Sequence, residues 1–576
     1  SGVIRLDETS LGGSFLLCDY ENEGIPGILA EKPEGLYYSA NLGGGMFGPP
    51  EQKLAIPSVR GLGGRPLELG ILDPGGRKFL ISVDGDVPGF FEQDTDGLTL
   101  GFTPFQEVPR ADPGLANRCW LDLNGDGLGE LVLFGDGKIV FFPNHGRLGF
   151  GAALEARLPD APDGEAQLIW SDRQAGLFLA DMNGDGLTDI VLVSHCAVSY
   201  WPNSGYGLFG DRVQMAHAPT LAGADTFRPD RVLLADLTGT GAADLVYAGG
   251  QELVVFLNAS GNAFLDGIAT GLALDRAALG PWQAADLFGS GLNVLVWRCQ
   301  TASGQDGFCY FDLLAGVKPY LLTTVMNPCG RQSTVTYQCA TASCLADKRA
   351  GVPWVLRLPF PVFCVAATTT QDMITGLTMT RSYRYRHGSY DGYGREFNGF
   401  GLVELTESET LAWAETQDDP PAAPRLTRTW HHIGTTDEWP AVLARYEQEY
   451  FRDSSGCAPC GDPAELPVGL ACGRKDANDA WRALKFAVIR QEIFGLDGTE
   501  QAAIPYLVTA ASRTVRIVQP AGRLSGLGAL ALEKTNVQLG YERDAAHPRI
   551  SRVVNIRFDE QTGMVLEQAV ASFGRP

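Results

Sequence analysis

Polar and apolar residues alternate in two different ways along the chain. In the front half an acidic, glycine-rich turn leads into a short apolar run, and a second apolar run follows. That second run closes in an aromatic–Pro–Asn tag or a close variant. ELVLF (Glu130 to Phe134) and DIVLV (Asp189 to Val193) typify the first run; FFPNHGRLGFG around Asn144 and YWPNSGYGLFG around Asn203 typify the tag. VFLNASGNAF around Asn258 and YYSANLGGGMFG around Asn41 are the same element. The runs are rich in β-branched and large apolar residues and too short for helices, so they predict strands. Beyond Lys318 the pattern changes. STVTYQ, LTMTRSYRYRHG, RTVRIVQ and RVVNIRFD alternate apolar with polar residues, which predicts antiparallel strands.

The front pattern is periodic. Asp19, Asp73, Asp122, Asp181, Asp236 and Asp286 open similar segments at intervals of 54, 49, 59, 55 and 50 residues. A period near 50 residues matches a propeller blade, in which small sheets pack radially and expose only short edges. Six starts predict six blades. The last start leaves a short blade, and residues 3 to 17 are expected to supply its missing strand. The intervals leave no room for crossover helices, which argues against a parallel α/β fold. The expected architecture is therefore all-β, with a six-bladed propeller over 1–318 and an antiparallel β-rich region over 319–576. Residues 454–478 in that region read as an insertion.

At 576 residues the chain exceeds what one core organises. Its formal charge of -23 opposes binding to nucleic acid backbones and to anionic membranes. No run of eighteen apolar residues predicts a membrane span, and SGVIRLDETSLGG has no apolar signal core.

Two turns carry the spacing of a calcium loop. Asp122, Asn124, Asp126 and Glu130 place side-chain oxygens at positions 1, 3, 5 and 9, with the Leu128 carbonyl at 7. Asp181, Asn183, Asp185, Leu187 and Asp189 repeat the set. Calcium takes six to eight hard oxygens, and this spacing converges them as the chain curls. The competing reading is an Asx turn satisfied by its own backbone. In the third copy Thr238 and Thr240 replace the middle residues beside Asp236 and Asp244, which weakens any cation site.

Catalytic signatures are absent from the sequence. The seven histidines, His145, His195, His217, His387, His431, His432 and His547, form no HExxH pair and flank no nucleophile elbow. GLGGRP at Gly61 lacks the lysine of a phosphate loop. His387 is the best single candidate for an acid–base group, with a structural hydrogen-bonded role as the alternative. Arg395 and Glu396 read as a structural charge pair. Cys457 and Cys460 with Cys472 form the one metal-like cysteine spacing, without an evident fourth ligand. The expectation is a protein that is not an enzyme. Two alternatives stay open at this point: a calcium-stabilised adhesion or scaffold propeller, and a carbohydrate- or peptide-active hydrolase using clustered carboxylates.

The order of several longer motifs resembles the B component of bacterial Tc-type insecticidal toxin complexes, a family that includes SpvB-like virulence proteins. The matching stretches are RVLLADLTGTGAADLVYAGGQELVVFLNASGNAF, KPYLLTTVMNPCG, RYRHGSYDGYGREFNGFG, RALKFAVIRQEIFGLDG and TVRIVQP. The cysteine-rich stretch from Cys457 to Cys472 departs from it. The resemblance implies FG-GAP/VCBS-like propeller repeats followed by the start of an RHS-type shell. It implies a pore-forming A-type toxin component as docking partner, and a C-type RHS toxin component or cargo polypeptide whose unfolded toxin passes through the propeller. It also implies a secreted or extracellular complex, with cytoplasmic residence before release.

Overall fold

In a computed structural model the chain divides into two compact units, Ser1–Leu321 with Gly392–Arg395, and Leu322–Asp391 with Glu396–Pro576. The structure describes residues 2–5, 15–32, 34–55, 68–73, 77–83, 87–93, 99–109, 117–135, 138–159, 175–249, 252–272, 282–300, 306–392, 394–411, 423–434, 438–453, 464–465, 474–522, 526–559 and 562–574.

The first unit is built from six four-stranded antiparallel sheets. Blade 1 comprises Phe15–Cys18, Gly27–Lys32, Gly35–Ser39 and Glu51–Ala55. Blade 2 comprises Glu68–Ile71, Lys78–Ser82, Gly89–Gln93 and Thr99–Pro104. Blade 3 runs Asn117–Leu121, Glu130–Gly135, Lys138–Phe142 and Leu154–Glu155; blade 4 runs Ala175–Ala180, Asp189–Ser194, Val198–Trp201 and Val213–Gln214. Blade 5 is Val232–Ala235, Asp244–Ala248, Leu253–Phe256 and Ile268–Ala269. Blade 6 has Trp282–Ala285, Val294–Gln300 and Asp306–Phe311, and its fourth strand is Gly2–Arg5. The expected closing strand is thus Gly2–Arg5 alone. Phe15–Cys18, which overlaps the end of the 3 to 17 stretch, opens blade 1 instead.

The apolar runs are continuous because the second strand of a blade is covered on both faces. Within blade 3, Leu131 and Leu133 pack with Phe79, Ile81 and Phe90 of blade 2, whereas Val132 and Phe134 pack with Ile190 of blade 4. The period-2 alternation is there, but both faces are interior, so no polar residue marks it. The same division repeats around the ring. Val191 and Val193 meet Leu245 and Tyr247 of blade 5, and Val246 and Ala248 meet Leu295 and Trp297 of blade 6. Val294 and Val296 meet Ile28 of blade 1, whose Leu29 and Tyr38 pack with Leu80 and Phe91 of blade 2. The core is thus a closed circuit of interfaces between neighbouring blades.

The second unit is one antiparallel sheet of long strands in sequence order, from Thr324–Met326 and Arg331–Cys339 to Val565–Phe573. Its longest pair is Leu377–Asp391 with Glu396–Leu411, which contains the RSYRYRHGSYDG motif. Helices Ala340–Arg349, Trp439–Glu449 and Arg474–Arg482 interrupt the strands. Helix Arg474–Arg482 ends where the RALKFAVIRQEIFGLDG stretch begins, and IRQEIF of that stretch lies within strand Val488–Gly495. Glu396 pairs with Lys485 Nζ at 3.0 Å and not with Arg395, which groups with the first unit. Ala464–Glu465, a short strand parallel to Leu507–Gln519, falls inside the predicted insertion. Gly61, Cys457, Cys460 and Cys472 lie outside the described residues.

Candidate functional site

Every one of the six aspartates sits in the connection between the first and second strands of its blade. In five of the six, good and worn copies alike, the aspartate accepts loop N–H groups, while Asp73 pairs with Arg77 Nε at 3.5 Å. Asp122 accepts the N–H groups of Gly125 (2.6 Å) and Gly127 (2.9 Å), and Asp181 those of Gly184 and Gly186, both at 2.7 Å. Asp236 accepts Gly239 and Gly241, Asp286 accepts Ser290 and Gly291, and Asp19 accepts Glu23 and Gly24. One carboxylate thus folds a whole loop by satisfying N–H groups that no ladder reaches. Gly127 and Gly186 both have φ 85°, a left-handed conformation that glycine adopts without strain.

The oxygen set of the two best loops suits calcium in kind, but its present orientation serves N–H groups. Asn124 Oδ1 accepts Asp126 N–H and Asp126 Oδ1 accepts Leu128 N–H, both at 2.8 Å. Asn124 Nδ2 donates to Asp126 Oδ2 (3.0 Å) and Glu130 Oε1 (2.8 Å). In the second loop Asn183 Oδ1 accepts Asp185 N–H, Asp185 Oδ1 accepts Leu187 N–H, and Asn183 Nδ2 donates to Asp185 Oδ2. Among the described residues no three His, Cys, Asp or Glu side chains gather as a cation site. As folded, these are Asx turns closed on their own backbone. In the third loop the Lys318 ammonium donates to the carbonyls of Thr238 (3.3 Å) and Gly239 (2.7 Å).

The ninth loop residue has turned inward. Glu130, Asp189 and Asp244 begin the second strands of their blades and are almost wholly buried. Each accepts the N–H of the second loop residue, Leu123, Met182 or Leu237. Asp189 and Asp244 also accept the N–H of the tag asparagines Asn203 (2.8 Å) and Asn258 (2.9 Å). Burial outweighs these bonds, and it pushes Glu130 up to about 7 and Asp189 and Asp244 up to about 6.

The tag asparagine joins neighbouring blades. Asn258 Nδ2 donates to Ala243 O of its own blade (2.9 Å) and to Met182 O of blade 4 (2.8 Å). Asn144 reaches Gly129 O and Ile71 O of blade 2, and Asn41 reaches Pro26 O and Leu287 O of blade 6. The tag backbone adds a second tie. Phe150, Phe209 and Phe264 donate their N–H groups to the carbonyls of Glu107, Arg157 and Ala216, just past the preceding blade's last strand. Sequence reading found the tag but missed this work. The recurrence of Asn was the available signal; its partners are 73, 76 and 246 residues away.

In the second unit, His387 is wholly buried and has φ 56°. Its Nδ1 accepts Val355 N–H (3.3 Å) and its Nε2 lies 3.1 Å from Glu449 Oε1, so both ring nitrogens are engaged inside the fold. Glu449 also meets Arg386 (3.3 Å), Arg445 (3.4 Å) and Trp430 Nε1 (3.3 Å). Burial raises its carboxyl, but the His387 hydrogen bond, Arg386 and Trp430 together outweigh that and hold it below the usual range. Asp347, with no exposure, accepts Arg386 Nε (3.0 Å) and Trp354 Nε1 (2.9 Å) and pairs with Arg384. His432 is stacked on Trp439 and Trp481, and burial lowers it to about 3.

A six-bladed propeller of Asp-loop repeats followed by a long antiparallel sheet defines the structural class. Residues 122–192 match the FG-GAP-like repeat, residues 275–434 the insecticide toxin TcdB middle/N-terminal region, and residues 479–576 the TcdB middle/C-terminal region. The chain is similar to a chain of the Photorhabdus luminescens Tc holotoxin pore, with TM-score 0.84 and 28% identity over 98% of this chain and 26% of that one. It is likewise similar to the TcdB2-TccC3 crystal structure (TM-score 0.73, 27% identity, 98% and 27% covered). The TcdB2-TccC3-Cdc42 structure gives TM-score 0.74 and 25% identity over 100% of this chain and 27% of that one. No curated protein sequence matches. Through the two TcdB middle-region matches and these structures the chain is similar to the TcB-like components of Tc toxin complexes, and it spans about a quarter of the length of the solved chains it matches.

Proposed function

We propose that this chain docks on a pore-forming A-type toxin component and that its propeller gates the passage of an unfolded toxin from a C-type partner, without catalysing a reaction. The observation that carries the reading is similarity over nearly the whole chain to a component of a holotoxin pore. The circuit of blade interfaces supports it physically. A ring whose blades are joined by asparagine ties is a rigid collar for protein docking. The engagement of both His387 nitrogens supports a structural rather than an acid–base role. The Cys299–Cys309 disulfide accords with a secreted complex.

The test is association of the full chain with a purified A-type pore component, followed by cargo release across a membrane. Substitutions on the two propeller faces are expected to weaken association on one face while leaving folding intact. Unchanged association after both faces are altered would sink the docking assignment.

Calcium at Asp122, Asn124, Asp126, Leu128 and Glu130, and at Asp181, Asn183, Asp185, Leu187 and Asp189, is a subsidiary proposal. Its support is that Asn124 Nδ2 lies between the carboxylates of Asp126 and Glu130, and Asn183 Nδ2 beside that of Asp185, where a positive centre is favoured. Bound calcium would hold the two turns as a structural ion. Replacing Asp122 and Asp126 by Asn is then expected to lower the melting temperature only when calcium is present. Equal losses with and without calcium count against the site.

A further inference from the structure

Blade 6 is assembled from two distant parts of the chain. Its outer strand is Gly2–Arg5, which among the described residues pairs with Asp306–Phe311 alone. All other blades draw four consecutive strands from one stretch, apart from short hairpins between them.

The strand that receives Gly2–Arg5 is itself covalently held. Cys309 on Asp306–Phe311 is bonded to Cys299 on Val294–Gln300, with a Cα–Cα distance of 5.7 Å. In register, Cys309 stands opposite Val3 on one side and Trp297 on the other. It also packs against the cluster between blades 5 and 6, while its neighbour Phe308 lies in the cluster between blades 6 and 1. The bond thus sits at the centre of the closing blade, beside the pairing that completes the ring. Both cysteines are partly exposed, within reach of a small reductant.

We propose that Cys299–Cys309 is a redox latch on the ring: its reduction loosens the Asp306–Phe311 edge and releases Gly2–Arg5. A small dithiol is the reductant. Its first thiolate attacks one sulfur, forming a mixed disulfide and freeing one cysteine. Its second thiol displaces the other cysteine, so the dithiol leaves as its own disulfide. Two electrons and two protons remain on Cys299 and Cys309. The bond matters because it ties Val294–Gln300 to Asp306–Phe311 and so restricts the states in which these two strands part. The latch rests on blade closure and not on the proposed docking, so either can fail without the other.

The experiment is hydrogen exchange on the full chain with and without a dithiol, with peptide masses reporting the state of Cys299 and Cys309. Reduction is expected to speed exchange in residues 2–5 and 306–311 by about tenfold or more, while blade 3 strands stay protected. A Cys299→Ala/Cys309→Ala variant is expected to exchange fast at those segments already, with no further response to the dithiol. If the peptides show both thiols reduced while exchange at 2–5 and 306–311 is unchanged, the latch is overturned. It is equally overturned if the two cysteines are unbonded in protein kept oxidised. Because wild type with and without dithiol decides the matter, misfolding of the double variant leaves the test intact.

Discussion

The propeller and the second unit both bury carboxylates, and they satisfy them by different means. In the propeller, Glu130, Asp189 and Asp244 accept backbone N–H groups and, among the described residues, form no ion pair, so burial raises their carboxyls. In the second unit, Glu407 lies between Arg425 and Arg381, and Arg425 first, then Arg381, holds it below the usual range. Asp497 is lowered in the same sense by Arg543 and Thr499. Glu492 departs from the pattern: wholly buried, it is raised despite Arg490 Nε at 2.6 Å. The difference teaches that the buried acids closing the propeller's Asp loops are parts of its turns, whereas Glu407, Glu449 and Asp497 of the sheet unit are halves of ion pairs. The two units should therefore respond oppositely to lost partners and to pH.

The largest contrast is expected at Asp347. Asp347→Ala strips Arg386 and Trp354 of a buried acceptor and should destabilise the second unit by about 3 kcal/mol. Hydrogen exchange resolved by unit checks it; protected propeller strands beside exposed sheet strands is the expected map. A loss shared equally by both units would contradict their independence.

Asn258→Ala is the matching change in the propeller. The carbonyls of Met182 and Ala243 lose their donor, and the cost should be about 2 kcal/mol, read as a lower denaturant midpoint. The loosened segments should include strands of blades 4 and 5 together. Loosening of blade 5 alone would mean that the asparagine does not join blades.

The pH comparison has a defined sign. Each position-9 acid has a folded pKa above its unfolded value, so it holds a proton that the unfolded chain has released between about pH 4 and 7. The associated stabilisation is complete below pH 4 and is lost as pH rises through 6 to 7, on the order of 2 kcal/mol per group. Denaturant midpoints of propeller segments should accordingly fall from pH 5 to pH 8, and Glu130→Gln should flatten that fall. Glu407 and Glu449 have the opposite sense: their stabilisation is present above the ordinary carboxylate pKa and lost as pH drops through the lowered one. Parallel pH trends in the two units would remove the distinction.

The smallest effect belongs to the exposed arginine pairs. Glu407→Gln should cost under about 1 kcal/mol and should weaken further in salt, because Arg381 and Arg425 are largely solvated. A thermal melt at low and high salt measures it. A cost near that of Asp347→Ala would show that the sheet face is more closed to water than these side chains indicate.

Much of the architecture was legible in the residues. Recurring Asp–Gly turns and apolar runs carry their own geometry, because a turn and a strand are settled within a few residues of chain. Six starts therefore gave six blades, and the need for an outside strand in blade 6 followed from its short length. The boundary between Gly2–Arg5 and Phe15–Cys18 did not, since both read as apolar strand and only pairing assigns them to different blades. The calcium spacing was equally visible, yet spacing alone leaves open which way an asparagine amide turns. In the fold it donates to carboxylates, and the ninth residue faces inward.

What the sequence determined by itself, then, is whatever depends on local chain: turn chemistry, strand runs, and the period that makes a propeller. The tertiary structure alone decided which distant groups meet. The alternate faces of each all-apolar strand go to different neighbours, and Asn41 reaches Leu287 to help close the ring. Asp347 meets Arg386, His387 meets Glu449, and Cys309 lies opposite Val3. The reason is physical: a hydrogen bond, a thiol or a carboxylate carries no mark of its partner until packing brings one within reach, and burial then sets whether its charge is favoured.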